Sequence, residues 1–391
     1  MKILYVTQLL PYPKDSGGKI KTFETINMLS EKNDLHIVSF VDSQEKLVNA
    51  KLLKKWSNSI NTVVLPSTTQ RIRFFYLKIL LNLFNPTPFS IKRNYSKKMK
   101  KLIAELCKKE KFDAIHIDHL LMTQYLLRDF QGIKVYEEHN LYTEMFKRYF
   151  EFETDLRKKF FYFSEYIKFK FYESREFEKF DSVLAISDRD KKLIAKTTVK
   201  NITTLPVAYQ IKSMFKMQKI PTVLFCGVLS WWPNADGFWW FYSVIYPIIR
   251  KSLANVKLMV VGHNPTEEIK NINDKSVIVT GSVKDTDEYY KRASAVIVPI
   301  RAGAGIRIKI LDAMAHGLPV VSTPLGAEGL PVENNKNILL ADNPEEFAEK
   351  VIEVIKNKKL ALKLSKNGLE YIKKNNSEDK SAMILNKIYG N

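Results

Sequence analysis

Short apolar runs, each followed by a turn and then a stretch of helical period, recur along almost the whole chain. This alternation limits the possible folds more than any other feature. In the first half, Lys2–Val6, Leu35–Val41, Asn61–Leu65, Ala114–Ile117, Lys134–Glu137 and Ser182–Ile186 read as strands. Between the first two lie a loop with Pro11, Pro13, Gly17 and Gly18 and a helix with Ile20, Phe23, Ile26 and Leu29 at three-residue steps. Strand, glycine loop, helix, strand is a βαβ unit, whose crossover implies a parallel sheet. Lys97–Lys109 reads as a further helix. The stretch Leu205–Pro221 has no period and reads as a connector. After it the alternation restarts, with strands expected at Val223–Gly227, Lys257–Gly262, Val277–Thr280, Ala295–Pro299 and Val320–Ser322 and helices at 236–251, 285–293, 308–316 and 344–356. A chain of 391 residues is too long for one comfortable core. The expected organisation is α/β, with one parallel sheet in 1–205 and another in 206–376, and a helix in 377–391 folding back onto the first domain. Parallel sheets bind ligands beyond the carboxyl ends of their strands, so the natural site is the cleft between the two domains.

Apolar residues at 45% and charged residues at 27% are ordinary globular chemistry. Two distant cysteines, Cys107 and Cys226, exclude a disulfide scaffold and a cysteine-rich zinc site. The first residues lack the pattern of a signal peptide, and no run of 18 apolar residues occurs, so a cytoplasmic chain is expected. The net charge is +20, and residues 46–101 hold 13 Lys/Arg and no acid, interleaved with Phe74, Phe75, Tyr76, Phe84, Phe89 and Tyr95. Such a mixture suits an anionic membrane surface or a nucleic acid, and equally a solvated basic face. Residues 146–180 read as one helical segment with 14 aromatics in 35 positions. Packing in a core accounts for most stripes of this kind; a face for membrane or acceptor is the sharper alternative. No helix-turn-helix, RNP or zinc-finger pattern occurs, so no nucleic-acid partner is expected. The first loop, PKDSGGKIKT, lacks the G-x-G-x-x-G of dinucleotide enzymes.

The densest chemistry lies in 296–330, VIVPIRAGAGIRIKILDAMAHGLPVVSTPLGAEGL. A strand ends at Pro299, Gly303 and Gly305 let backbone approach a ligand, and a helix follows whose free N–H groups suit a phosphate. Arg307 and Lys309 add positive charge there, Arg307 from the loop since two-residue spacing does not converge on a helix. Lys309, Asp312 and His316 are expected on one polar face, and Ile308, Leu311 and Ala315 on the buried one.

This stretch, with YKRASAVIVPI at 290–300, resembles the donor-site signature of the family 4 (group 1) glycosyltransferases. These are retaining enzymes of the GT-B fold, two Rossmann-like domains facing a central cleft, which use nucleotide-sugar donors without a catalytic metal. The SGG loop and FDSVLAISDRDKKLI at 180–194 are also similar to the family, and the resemblance covers nearly the whole chain. It implies that Arg307 and Lys309 neutralise the donor diphosphate and that Asp312 holds the ribose. Gly303, Ala304, Gly305 and Ile306 would offer backbone N–H groups to phosphate or sugar, and Gly281 and Val283 would flank the base. Gly17 and Gly18 would approach the diphosphate from the other domain, and His119 stands near the family's acceptor-side histidine. The donor would be of UDP or GDP type and a substrate, with no cofactor and no metal. The acceptor would be a glycan or lipid-linked hydroxyl, handled at the inner face of the cytoplasmic membrane in cell-surface polysaccharide assembly.

The sequence departs from the family pattern in two places. Eight residues before Asp312, where the family has a glutamate, stands Ala304; and the Arg and Lys that usually follow the first strand of the second domain are replaced around Val228 and Asn234. Arg307 and Lys309 would take over that charge. An inactive homologue would bind nucleotide without transferring sugar, and a protein built for anionic surfaces would bind lipid or nucleic acid but no nucleotide. The D-x-D pairs Asp188/Asp190 and Asp285/Asp287 read as helix caps. His116 and His119 have ligand spacing, but no neighbour in sequence completes a metal set. Glu138 and His139, after a strand, are candidates to orient an acceptor, with Glu137 facing away as a polar cap. Glu328 is a candidate for sugar hydroxyls. Trp231 and Trp232 are candidates for stacking, and Trp239 and Trp240 for the core.

Overall fold

The computed structural model describes residues 1–14, 16–41, 47–65, 79, 81–197, 201–303 and 305–390. Ala304 and the aromatics Phe74, Phe75 and Tyr76 lie outside them. The chain forms two compact units, Met1–Lys14 with Gly18–Pro206 and Ser381–Asn391, and Asp15–Gly17 with Val207–Lys380.

The first unit holds a sheet of seven strands, β1 Lys2–Thr7, β2 Asp34–Val41, β3 Ser59–Val64, β4 Ala114–Asp118, β5 Ile133–Glu137, β6 Ser182–Ala185 and β7 Ile202–Thr204. Their order is β3-β2-β1-β4-β5-β6-β7, all pairs parallel. The order reverses between β1 and β4, where a crevice opens at the carboxyl ends. Helix α1, Gly17–Ser30, follows β1 and buries Phe23, Ile26 and Leu29. The second unit repeats the plan with β8 Thr222–Cys226, β9 Lys257–Val261, β10 Val277–Gly281, β11 Ala295–Val298, β12 Val320–Ser322 and β13 Leu339–Leu340. These are ordered β10-β9-β8-β11-β12-β13, and the reversal falls between β8 and β11.

Several expectations are corrected. The aromatic segment is two helices, α2 Tyr142–Phe152 and α3 Leu156–Phe177, because Asp155 accepts from the amides of Arg157 and Lys158 and starts a new helix. Its aromatics divide: Phe146, Phe169, Phe177 and Phe180 are buried, whereas Phe152, Phe160, Phe163 and Phe171 are exposed. In the basic segment Phe89 is core, and only Phe84 and Tyr95 are exposed among the described aromatics. The helix expected at 236–251 runs through Trp232–Trp240, a π turn at Phe241–Ile245 and Tyr246–Ser252. The wider turn makes room for Pro247, which lacks an amide to donate. Strands β7 and β13 and the helix Lys358–Asn375 were not expected; the two strands are only three and two residues long.

Candidate active site

The crevice of each sheet collects the polar residues of its unit. In the first, Asp118 ends β4 and is fully buried. Its Oδ2 accepts from Thr7 Oγ1 at 2.5 Å, at the end of β1, and from Thr22 Oγ1 at 2.8 Å, on α1. Its Oδ1 meets His139 Nε2 at 2.5 Å and His119 Nδ1 at 3.2 Å. The two imidazoles stack with centroids 3.8 Å apart. His119 reaches this place with φ +76°, a strained backbone for a side chain of its size, held by its amide donating to Glu137 O at 3.1 Å. Burial opposes charge on all three side chains. Asp118 nevertheless stays well below the usual carboxylate range beside the two histidines, and His119 is raised by Asp118. His139 is lowered by its burial and by the charge of His119. The two histidines are thus pushed in opposite directions, His119 toward its charged form and His139 toward its neutral one. Gly18 opens the space above it: a β-carbon there would lie 3.6 Å from His119 Nε2. Gly17 starts α1 beside it in sequence.

Behind this cluster lies a second one that the sequence did not suggest. Glu137 is fully buried and receives Lys21 Nζ at 2.6 Å, His116 Nε2 at 2.9 Å and Thr25 Oγ1 at 3.0 Å. Burial favours its neutral form, yet Lys21 and His116 bring its carboxyl down to about 2. An ionised Glu137 only accepts, so His116 donates from Nε2 and takes the Tyr389 hydroxyl on Nδ1 at 2.6 Å. Glu137 is thus no polar cap. Glu138 is also corrected: its carboxyl is fully buried, makes no hydrogen bond among the described residues, and is raised well above normal by burial and by Asp190 and Glu173.

Asp118, His119 and His139 are the group among the described residues whose donor atoms converge as a metal would need, all within 4.8 Å of one another. The sequence neighbourhood of His116 and His119 did not disclose it, because His139 comes from beyond β5. Two ligands on one zinc ion stand about 3.3 Å apart at tetrahedral angles. Asp118 Oδ1 and His139 Nε2 are closer than that, at 2.5 Å, and neither atom, nor His119 Nδ1, makes a well-aligned hydrogen bond among the described residues.

In the second unit, helix α4, Ile308–Ala315, starts at the carboxyl end of β11. Gly303 and Gly305 turn the preceding loop with φ +105° and +83°, conformations open to glycine. Arg307 precedes the first helical residue, is buried, donates to Gly305 O at 2.6 Å and lies 5.5 Å from the Trp231 ring. Lys309 donates to Asn234 Oδ1 at 2.7 Å, in the first turn of the helix Trp232–Trp240 that follows β8. A β-carbon at Gly227 would come within 2.7 Å of its ammonium, so only glycine leaves it room. Burial, with the nearby Arg307 charge, brings Lys309 down to about 7. Arg307 and Lys309 therefore supply charge beside the loop that lacks the family's basic pair. Ile306 and Gly305 are half-buried beside them.

Asp312 stands apart from that pair. It is buried, its carboxylate meets Lys212 Nζ at 3.3 Å, and Lys212 also meets Asp287 at 3.0 Å, itself 3.2 Å from His316 Nε2. The polar face expected for Lys309, Asp312 and His316 is thus divided, and Ile308 is only half-buried on the face expected to be core. Burial raises Asp312 against the pull of Lys212. Of the D-x-D pairs, Asp190 bonds the Ser187 cap and Asp285 accepts the Asp287 amide. Gly281 ends β10 with φ +67° and open space at its Cα, and Val283 is half-buried two residues on. Glu328 is half-buried in the turn after β12. Trp232 is exposed, and Trp239 and Trp240 pack on the core.

Two parallel-sheet Rossmann-like domains define a GT-B fold, and solved structures share it along the chain's full length. Sucrose-phosphate synthase from Thermosynechococcus elongatus superposes with a TM-score of 0.72 at 14% identity, covering 100% of this chain and 98% of that one. TarM of S. aureus, in complex with UDP among other ligands, gives 0.69 at 14%, with full coverage of both. Anabaena HepE, in complex with UDP and glucose, gives 0.67 at 12%, covering 100% and 99%. Residues 220–357 match the family Glycosyl transferases group 1, so the second unit carries a glycosyltransferase domain of that group. An uncharacterized 44.6 kDa protein in the cps region of Klebsiella pneumoniae is 24% identical across 96% of each chain. An uncharacterized glycosyltransferase of Methanocaldococcus jannaschii is 31% identical over 30% of this chain and 34% of its own.

Proposed function

We propose that the protein is a retaining glycosyltransferase that moves a hexose from a UDP- or GDP-type sugar to a glycan or lipid-linked hydroxyl in cell-surface polysaccharide assembly. The observation that carries this is the buried Arg307 and the half-buried Lys309 at the start of α4, inside a group 1 glycosyltransferase domain. Two cations and a helix N-terminus suit a leaving diphosphate. UDP in the TarM and HepE complexes and the cps-region relative support the donor and the setting.

His119, favoured in its charged form beside Asp118, donates a hydrogen bond to a sugar or acceptor hydroxyl, with His139 stacked on its ring. As the resemblance implies, the leaving diphosphate takes the acceptor proton on the same face. His119→Ala is expected to lower kcat about 10²-fold with the nucleotide Kd unchanged. A sugar-release assay over UDP- and GDP-sugars, with and without an added glycan acceptor, measures this. An absence of both transfer and hydrolysis beside intact nucleotide binding would favour a binding subunit. Because Arg307 and Lys309 carry the phosphate charge, turnover is expected to persist in EDTA. A tenfold loss there would instead assign Asp118, His119 and His139 to a metal.

Lys309 also sets a pH dependence. With a free-state value of about 7, it is half charged near neutrality. A bound diphosphate favours the charged form, so binding takes up a proton. Affinity is complete below pH 7 and weakens above it by up to about tenfold per unit until the bound-state value is passed. Titration calorimetry from pH 6.5 to 8.5 in buffers of different ionisation enthalpy reads both the slope and the proton, and Lys309→Met should flatten the slope.

A further inference from the structure

Helix α3 carries a surface that donor chemistry does not explain. Leu156, Phe160, Phe163, Ile167 and Phe171 are all exposed, Leu156 at 81% and Phe171 at 66%. At 100° per residue they fall within an arc of about 80°, a stripe about 23 Å long. Exposed Arg157 and Arg175 flank it on one side and exposed Lys170 on the other. The three acids of the helix, Glu165, Glu173 and Glu176, are all buried. Glu165 accepts the Phe89 amide, and Glu173 accepts Tyr142 N and the Thr143 hydroxyl. Between its ends the exposed side of α3 therefore offers apolar and cationic groups, and the only exposed carboxylates of the helix are those at its two caps, Asp155 and Glu178. Lys168 donates to Asn82 O at 2.7 Å, which ties the neighbouring segment to α3. That segment presents Leu81 and Phe84, the latter 91% exposed.

We propose that this face docks on an anionic lipid bilayer, with the stripe in the acyl boundary and the basic flanks among the headgroups. An amphipathic helix with phenylalanine on one side and cations beside it binds such interfaces by burying apolar area and by electrostatic attraction. A two-fold pairing of the stripes in two copies of the chain would bring Arg157, Lys170 and Arg175 of both together, offset only by Asp155 and Glu178 at the helix ends, whereas an anionic headgroup layer complements all three cations. Among the described residues no helix is long and apolar enough to cross a membrane, so the contact is interfacial. Docking would hold the protein where lipid-linked acceptors reside, but the surface stands independently of the donor reading.

The test is co-sedimentation of the full chain with phosphatidylglycerol vesicles and with phosphatidylcholine vesicles at 0.1 M salt. Binding is expected to the first alone. Leu156→Ser/Phe160→Ser/Phe171→Ser and, separately, Arg157→Glu/Lys170→Glu should each weaken it at least tenfold. Leu362→Ser/Met383→Ser, at exposed apolar positions elsewhere, should leave it unchanged. Unaltered nucleotide binding and melting temperature in the triple variant separate a lost surface from a lost fold. Phe171→Ser alone, with an intermediate loss, serves if the triple variant does not fold. Wild-type protein left in the supernatant with phosphatidylglycerol, or a triple variant that binds as well as wild type, would overturn the proposal. So would equal binding to both lipids, or a self-association that the triple variant abolishes in place of vesicle binding.

Discussion

Alanine at both Arg307 and Lys309 is expected to weaken nucleoside diphosphate binding by about 10²–10⁴-fold. Hydrogen bonds from a charged donor contribute roughly 1.5–3 kcal/mol each, and two are removed. The sites differ in kind. Arg307 presents a planar fork beside Trp231, so Arg307→Lys keeps the charge but loses the fork and the ring contact. Lys309 sits under Asn234 and Gly227, where an arginine needs more room than the ammonium has. Calorimetric titration with UDP, GDP and ADP reads the loss and names the base at the same time. Binding of none of the three by the wild-type protein would remove the donor reading. Full binding by the double variant would move the phosphate site away from α4. The α4 helix should persist in the variant, because Ile310, Leu311, Ala313 and Met314 anchor it in the core.

What the sequence discloses about this fold is mostly what is local. Strands β1, β2, β4, β5, β8, β9, β11 and β12 show as apolar runs because both faces of a parallel sheet are covered; β10 reads the same way although it is an edge strand with Ile278 exposed. The glycine loop before α4 shows because no other residue turns so tightly there. What escapes is decided by contacts distant in the chain. Lys21 reads as an ordinary solvated lysine in GGKIKTF, since lysine is rarely buried without a partner. Its partner is Glu137, 116 residues on. Asp312 keeps the position that the resemblance gives it, but its neighbour Lys212 lies in a connector without period. Asp118 was passed over between two histidines, although strand alternation puts it on the same side as His116. His139 joins His119 only because β5 pairs with β4 in register, Asp118 opposite Glu137.

Lys21→Ala is expected to destabilise the first unit by about 3–5 kcal/mol, the usual consequence of leaving one member of a buried ion pair uncompensated. Lys21 and Glu137 are both almost wholly inaccessible, and their charged atoms lie 2.6 Å apart. The pair also sits beneath the crevice of the first sheet, since Thr25 and His116 meet the same carboxylate and Tyr389 joins through His116. The sign of the pH dependence should invert. In the wild type the Glu137 carboxyl is held at about 2, below its unfolded value. Its contribution is therefore present above about pH 4.5 and fades as pH falls through 2. Without Lys21, the folded state gains by binding a proton on Glu137, so the variant should lose stability as pH rises from 5 to 8. Urea denaturation midpoints from pH 2 to 8 measure both effects. Lys21→Met/Glu137→Leu, which removes both charges, should recover much of the loss, as apolar replacements of buried pairs do. A single variant as stable as wild type at pH 7.5 would mean that His116 alone suffices to hold Glu137 ionised.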